Sequence, residues 1–281
     1  MISIEQLIER SGELGSLPAV IMRVNQALDD PDVSAGNVGR IVNEDPALTA
    51  ALLKLVNSPF YGLSSTIDTV FRAIALVGFK ELRQLVLTAH ALKTFNDMPN
   101  DLVSMPIFWQ RSLSIGVITR ILASYARERS IERYFISGLL HDLGSLIIYQ
   151  QLPKEASAII SEAKLKGHWI REQEQQALGF DHAQVGGALL EGWGLPGIQV
   201  DAVRYHLQPE DAPEENQKAA MLVNLAFEIY HHHVKRDPFL DEDAQIDPLL
   251  FERLGISVEA LDKMLEQAKQ HFNEGRSQLI S

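Results

Sequence analysis

Residues 138–146, GLLHDLGSL, set a histidine and an aspartate side by side, His141 and Asp142, in an otherwise apolar run. Ionisable groups in such a setting are expensive to bury unless something pairs with them. A metal ion, a substrate or internal hydrogen bonds would each serve. Imidazole and carboxylate donors suit zinc, iron, manganese or nickel. A metal held there would acidify a bound water and polarise a phosphoryl oxygen. One histidine and one aspartate are too few for tight binding, and two more candidates lie downstream: His182 in GFDHAQVG and His206 in AVRYHLQP. Each has a plain structural reading too. His182 could cap a helix start, His206 ends a helix where the macrodipole favours an imidazolium, and His141 and Asp142 could bond each other.

The other histidines offer less. His231, His232 and His233 are consecutive and point three ways around a helix, so they converge poorly on one ion. His90, His168 and His271 stand alone. The acidic stretch 237–248, DPFLDEDAQIDP, lacks the EF-hand spacing and reads as a solvated linker.

The 281-residue chain is long enough for a substantial core and contains no cysteine, which excludes disulfides and thiolate metal sites. A formal net charge of −12 argues against binding duplex nucleic acid, which needs a basic surface, but leaves room for a local basic pocket. No uncharged apolar run has the length of a membrane span, and the start MISIEQLIER lacks the pattern of a signal peptide. A cytoplasmic protein is expected.

Apolar residues recur at helical spacing almost throughout, so the chain is read as all-α. Helical segments open at Pro18 and Pro46, and others cover 79–95, 105–128, 131–149, 153–167, 169–178, 181–193, 196–206, 216–233 and 257–273. Asp181 with Gln184, and Ser257 near Glu259, suit helix starts. On one helix through 131–149, Leu139, Leu140, Leu143, Leu146 and Ile147 share a face, and Gly138, His141, Asp142 and Ser145 share the other. The prolines in NDMPNDLVSMP suggest two lobes, 1–98 and 99–281. In NSPFYG, 57–62, Phe60 and Tyr61 read as packed at a helix end, with a protein-recognition corner as the functional alternative.

Several separated motifs then point one way. LGSLPAVIMRVNQALDDPDVS, IVNEDPALTAALLKLVNSPFYG and TVFRAIALVGFKELRQLVL precede FWQRSLSIG, GLLHDLGSLII and LGFDHAQVGGALLEGWGLP…AVRYH. Over roughly residues 8 to 206 the chain resembles the HDOD family, the HD-related output domain of bacterial signalling proteins, related to the HD superfamily of metal-dependent phosphohydrolases. The resemblance implies a two-lobed helical HDOD/HD-like fold and a signalling role. It implies that His141, Asp142, His182 and His206 stand at metal-ligand positions. It also exposes departures: Arg111 where a catalytic relative has a ligand histidine, Asn224 where it has an aspartate, and Ser145 where a lysine often meets phosphate. An arginine stays protonated and cannot ligate a metal. It would repel a cation and attract an anion or carboxylate, and Asp142 is the carboxylate at hand.

The expectation is therefore a non-catalytic regulatory module with a degenerate metal site, sensing a small anion or a signalling partner protein. The alternative is a phosphohydrolase acting on a nucleotide or phosphodiester. In that reading the three histidines and Asp142 hold a divalent Fe, Mn, Zn or Ni ion and Arg111 steadies the developing negative charge.

Overall fold

The computed structural model describes residues 2–12, 14–58, 66–96, 101–166, 170–234 and 246–279. Phe60, Tyr61, His168, most of the acidic stretch and the expected 98/99 boundary lie outside them. The described residues contain helices and no strand, which agrees with the all-α reading. None of these helices is long and apolar enough to cross a membrane.

In chain order the helices are α1 (Ile4–Arg10), α2 (Ala19–Leu28), α3 (Ala35–Val42), α4 (Pro46–Val56), α5 (Val70–Asn96), α6 (Met105–Tyr125), α7 (Glu132–Leu140), α8 (Leu143–Gln151), α9 (Pro153–Lys166), α10 (Ile170–Leu178), α11 (His182–Gly192), α12 (Gly197–Arg204), α13 (Glu214–Ile229), α14 (Pro248–Leu254) and α15 (Leu261–Leu279). Helices α2 to α5 pack on one another. In the second group α6 meets α7, α13 and α15, and α11 and α12 link α8 to α13. α1 crosses over to pack on α8 and α11, placing Leu7 in complete burial.

Local chemistry sets the helix ends. Asp45 accepts from the Ala47 and Leu48 N–H groups, and Pro46 takes the first turn, where its missing donor is harmless. Asp181 and Gln184 form a reciprocal capping box that starts α11 one residue before His182. Ser257 instead bonds the Glu259 carboxylate and caps no backbone. α5 bends at Gly78, whose φ of 82° only glycine adopts freely, so the expected helix 79–95 is the second piece of a longer, kinked one. Helices α1, α3 and α14 were not expected, and α14 begins inside the stretch read as a linker.

One departure bears on function. The expected single helix over 131–149 breaks at the histidine–aspartate pair. His141 keeps helical angles, but Asp142, at φ −109° and ψ 14°, leaves them before α8 begins. The two side chains therefore do not lie on one face of a continuous helix. Close backbone approaches hold the break in place. A Cβ on Gly138 would sit 2.5 Å from Thr119 Oγ1 and 2.8 Å from the Gly116 Cα, so α7 lies directly on α6. A Cβ on Gly144 would sit 2.0 Å from the His182 carbonyl oxygen and 2.5 Å from the Gly186 nitrogen, so α8 touches α11 backbone to backbone.

The obstacle at Gly144 is backbone, which has no rotamer to yield. Gly144→Ala should lower unfolding free energy by about 1–3 kcal/mol, the usual range for overpacking. Gly192→Ala, whose added carbon meets nothing within 4 Å, should be neutral or slightly stabilising. Urea denaturation of the two variants checks this, and equal midpoints would refute it.

Candidate functional site

Five helix ends or faces converge on one buried cluster of side chains. Arg111 comes from the middle of α6, His141 and Asp142 from the α7–α8 break, His182 from the start of α11, and His206 from just beyond α12. Phe227 of α13 walls it. The rings of His141 and His206 meet edge to face at 5.2 Å between centroids, and those of His182 and His206 lie 5.9 Å apart. Phe227 is 6.1 Å from His141 and 5.9 Å from His206.

The hydrogen bonds decide what each imidazole offers. His141 Nδ1 lies 2.8 Å from the Gly138 carbonyl, and His206 Nδ1 lies 2.7 Å from the Val203 carbonyl. A carbonyl only accepts, so each Nδ1 carries the proton and each Nε2 presents a lone pair. Both rings are buried, and neither Nε2 has a hydrogen-bond partner. A buried polar atom left unsatisfied costs about 1–3 kcal/mol. Burial holds His141 well below the ordinary histidine range and lowers His206 to about 4, with the His182 charge adding to the effect on His206.

His182 is different. Its backbone N–H and its Nδ1 both reach Glu174 Oε2, at 3.0 and 2.6 Å, and Glu174 is itself buried. Burial opposes the imidazolium, but Glu174, with Asp142 and Asp181 behind it, more than offsets this and lifts His182 to about 9. It is a cation at neutral pH.

Asp142 has both oxygens engaged. Arg111 donates to one and Ser145 Oγ to the other. Burial alone would raise its pKa, but Arg111 first, then His182 and His141, bring it down to about 2. Two cations and two carboxylates thus balance inside the pocket: Arg111 and His182 against Asp142 and Glu174.

The structure therefore brings Arg111, His141, Asp142, Ser145, His182 and His206 together. Asn224 stands one step back, where its Nδ2 donates to the His206 carbonyl at 2.7 Å and ties α13 to the end of α12. Glu174 and Phe227 were missed in the sequence. Glu174 lies in IREQEQQAL, where an acidic residue has no contrast with its neighbours, and Phe227 lies in an apolar helix where an aromatic is ordinary.

The donor set does not suit a divalent metal as it stands. Among the described residues no group of three or more His, Asp or Glu has an arrangement that could hold one. Arg111 and Ser145 occupy the carboxylate, and two positive charges border it. Only the neutral rings of His141 and His206 keep the form a metal would require, whereas His182 is charged.

Two predictions follow from these protonation states. His141 and His206 titrate below the unfolded value of about 6.5. Their stabilisation is fully present above that pH and is lost as pH falls toward the about 4 of His206. The slope is on the order of 1.4 kcal/mol per pH unit per histidine, because the unfolded state binds the extra protons. The His182 contribution has the opposite sign: it is complete below about 6.5 and fades as pH rises through about 9. Urea midpoints taken in chelator should peak near neutral pH, and a midpoint still rising toward pH 4 would contradict this. Glu174→Gln should bring the His182 titration, followed by NMR, down toward neutral pH. An unmoved titration would remove Glu174 from its role.

Comparison with known proteins agrees with this architecture. A protein from Shewanella amazonensis SB2B, described as a candidate phosphohydrolase, superposes with a TM-score of 0.74 at 24% identity over 97% of each chain. A candidate signal transduction protein from Marinobacter aquaeolei VT8 superposes at 0.70 with 22% identity, over all of this chain and 62% of that one. At such identities these likenesses speak for the fold alone. An uncharacterized protein of Treponema pallidum (strain Nichols) is 26% identical over 224 residues, which are 78% of this chain and 42% of that protein. The chain thus spans about two fifths of that relative's length. The model of the HDOD domain matches residues 14–209, well over half of the chain, and the chain belongs to the HDOD domain family.

Proposed function

We propose that this chain is a cytoplasmic signal-transduction module, built of lobes 1–98 and 99–281, whose HD-type pocket is a regulatory binding site and not a hydrolytic centre. The observation that carries the reading is the engagement of Asp142 by Arg111 and Ser145. The carboxylate that would bind a metal is neutralised by a guanidinium that cannot lose its proton. Such a site reads a small anion or a partner's acidic group, because an anion can compete with Asp142 for Arg111.

A route outward supports the regulatory role. α11 starts at His182 and is closed by Trp193. The Trp193 ring packs against His90 and Phe95 of α5, at 5.3 and 6.4 Å between centroids. A ligand that moves the first end of this rigid element moves the other. The signal requires two states with different affinity for the ligand.

The second reading is an HD-type phosphohydrolase. Its support is the set of three adjoining imidazoles, each with Nδ1 fixed on an oxygen.

Metal analysis of the purified protein, with a screen of phosphomonoesters, phosphodiesters and nucleotides, separates the two. The regulatory reading expects substoichiometric metal and no turnover above that of His141→Ala. One bound metal per chain, with both metal and turnover lost in His141→Ala, would establish the hydrolase.

A further inference from the structure

The first helix group carries a surface that its own packing does not explain. Between α3 and the start of α5 runs an open groove with a volume of about 590 Å³. α3 lines one side of it, and Thr69, Val70 and Phe71 line the other. Two of the eight residues of α3, Gly36 and Gly39, form part of this lining. Glycine is a poor helix former, tolerated where something must come close. Among the described residues nothing comes that close. A Cβ on Gly36 would meet Ser34 Oγ at 3.9 Å, and one on Gly39 would meet α5 at 3.9 Å, an ordinary contact. Beside this open floor Phe71 stands 57% exposed, and Ala75, one turn along, is exposed with it.

The patch is thus a hole with a knob at its edge, and the two are level: the α5 atom nearest a Cβ on Gly39 is the Phe71 backbone nitrogen. A two-fold axis along the groove keeps that level and exchanges the sides, so α3 of one copy faces α5 of the other. Phe71 of each copy then meets the floor at Gly36 and Gly39 of the other. The charges exchange in the same way. On the α3 side both terminal nitrogens of Arg23 engage Glu44, which leaves Arg40, 69% exposed, with a 3.7 Å approach to that carboxylate. On the α5 side Asp68 is 67% exposed and pairs with Arg72 at 3.1 Å. The rotation brings Arg40 of one copy toward Asp68 of the other. A chain of net charge −12 repels its own copies. The ion pairs around this groove set Arg23, Arg40 and Arg72 against Glu44 and Asp68, with no excess of negative charge.

We infer that the α3–α5 groove is a homodimer surface, on which Phe71 of each copy packs over Gly36 and Gly39 of the other and Arg40 pairs across with Asp68. The inference is independent of the histidine–aspartate cluster and of what that cluster binds.

Sedimentation equilibrium of the full chain, from about 1 to about 100 µM, should show monomer and dimer in exchange. Phe71→Glu should weaken association at least tenfold without changing the circular dichroism, because Phe71 is no part of the monomer core. Gly36→Gln gives two readings of opposite sign. Its side chain favours the helix and fills the groove, so the urea midpoint should hold or rise while association falls at least tenfold. Arg40→Glu and Asp68→Lys should each weaken association several-fold and restore it when combined, a rescue that a role within one copy would not give. A chain still monomeric at about 100 µM assigns the groove to another occupant and overturns the inference. A dimer that Phe71→Glu and Gly36→Gln leave intact overturns it too.

Discussion

An aspartate buried to 4% exposure must be neutralised from within the protein or by something it binds. Here the protein supplies the neutralising charge itself. Arg111 reaches across from α6, Ser145 closes the second oxygen from the first turn of α8, and the α7–α8 break turns the carboxylate toward both. A continuous helix would aim Asp142 elsewhere. The break, the α6–α7 contact at Gly116 and Gly138, and the α8–α11 contact at Gly144 and Gly186 are all features that bring this ion pair together.

The three histidines are held in two protonation states by one simple difference. His141 and His206 rest on neutral backbone carbonyls, so burial prevails and they stay uncharged. His182 rests on a carboxylate, so the partner prevails and it is charged. Side chains of the same type, in rings 5.9 Å apart or closer, thus play opposite electrostatic parts. The pocket ends up balanced in charge but short of hydrogen-bond donors.

Much of this was legible in the sequence wherever a residue contrasts with its surroundings. His141 and Asp142 stand out in an apolar run, and the order of motifs from LGSLPAV to AVRYH identifies the family and with it the all-α fold. Arg111 stood out as a cation at a position where the resemblance calls for a metal ligand. The misses share a cause, which is lack of contrast. Glu174 is hidden among glutamines, and α3 is hidden by two glycines in AGNVGRIV. The helix break at Asp142 leaves the apolar periodicity of its flanks intact, so no pattern betrays it. Charge states and tautomers follow from which oxygen faces each ring, and only the folded chain determines that.

The crossing of α1 has a mechanical consequence. Its Leu7 is sealed against the α8 and α11 side of the molecule, while α2, next along the chain, packs with α3 and α5. At the other end of the sequence α15 reaches from α6 to α4. The two groups of helices are therefore buckled together at both extremities. They cannot swing apart like a book without unfastening an apolar latch. Small sliding displacements, the kind that repack an interface without exposing it, are the motions that leave both contacts in place.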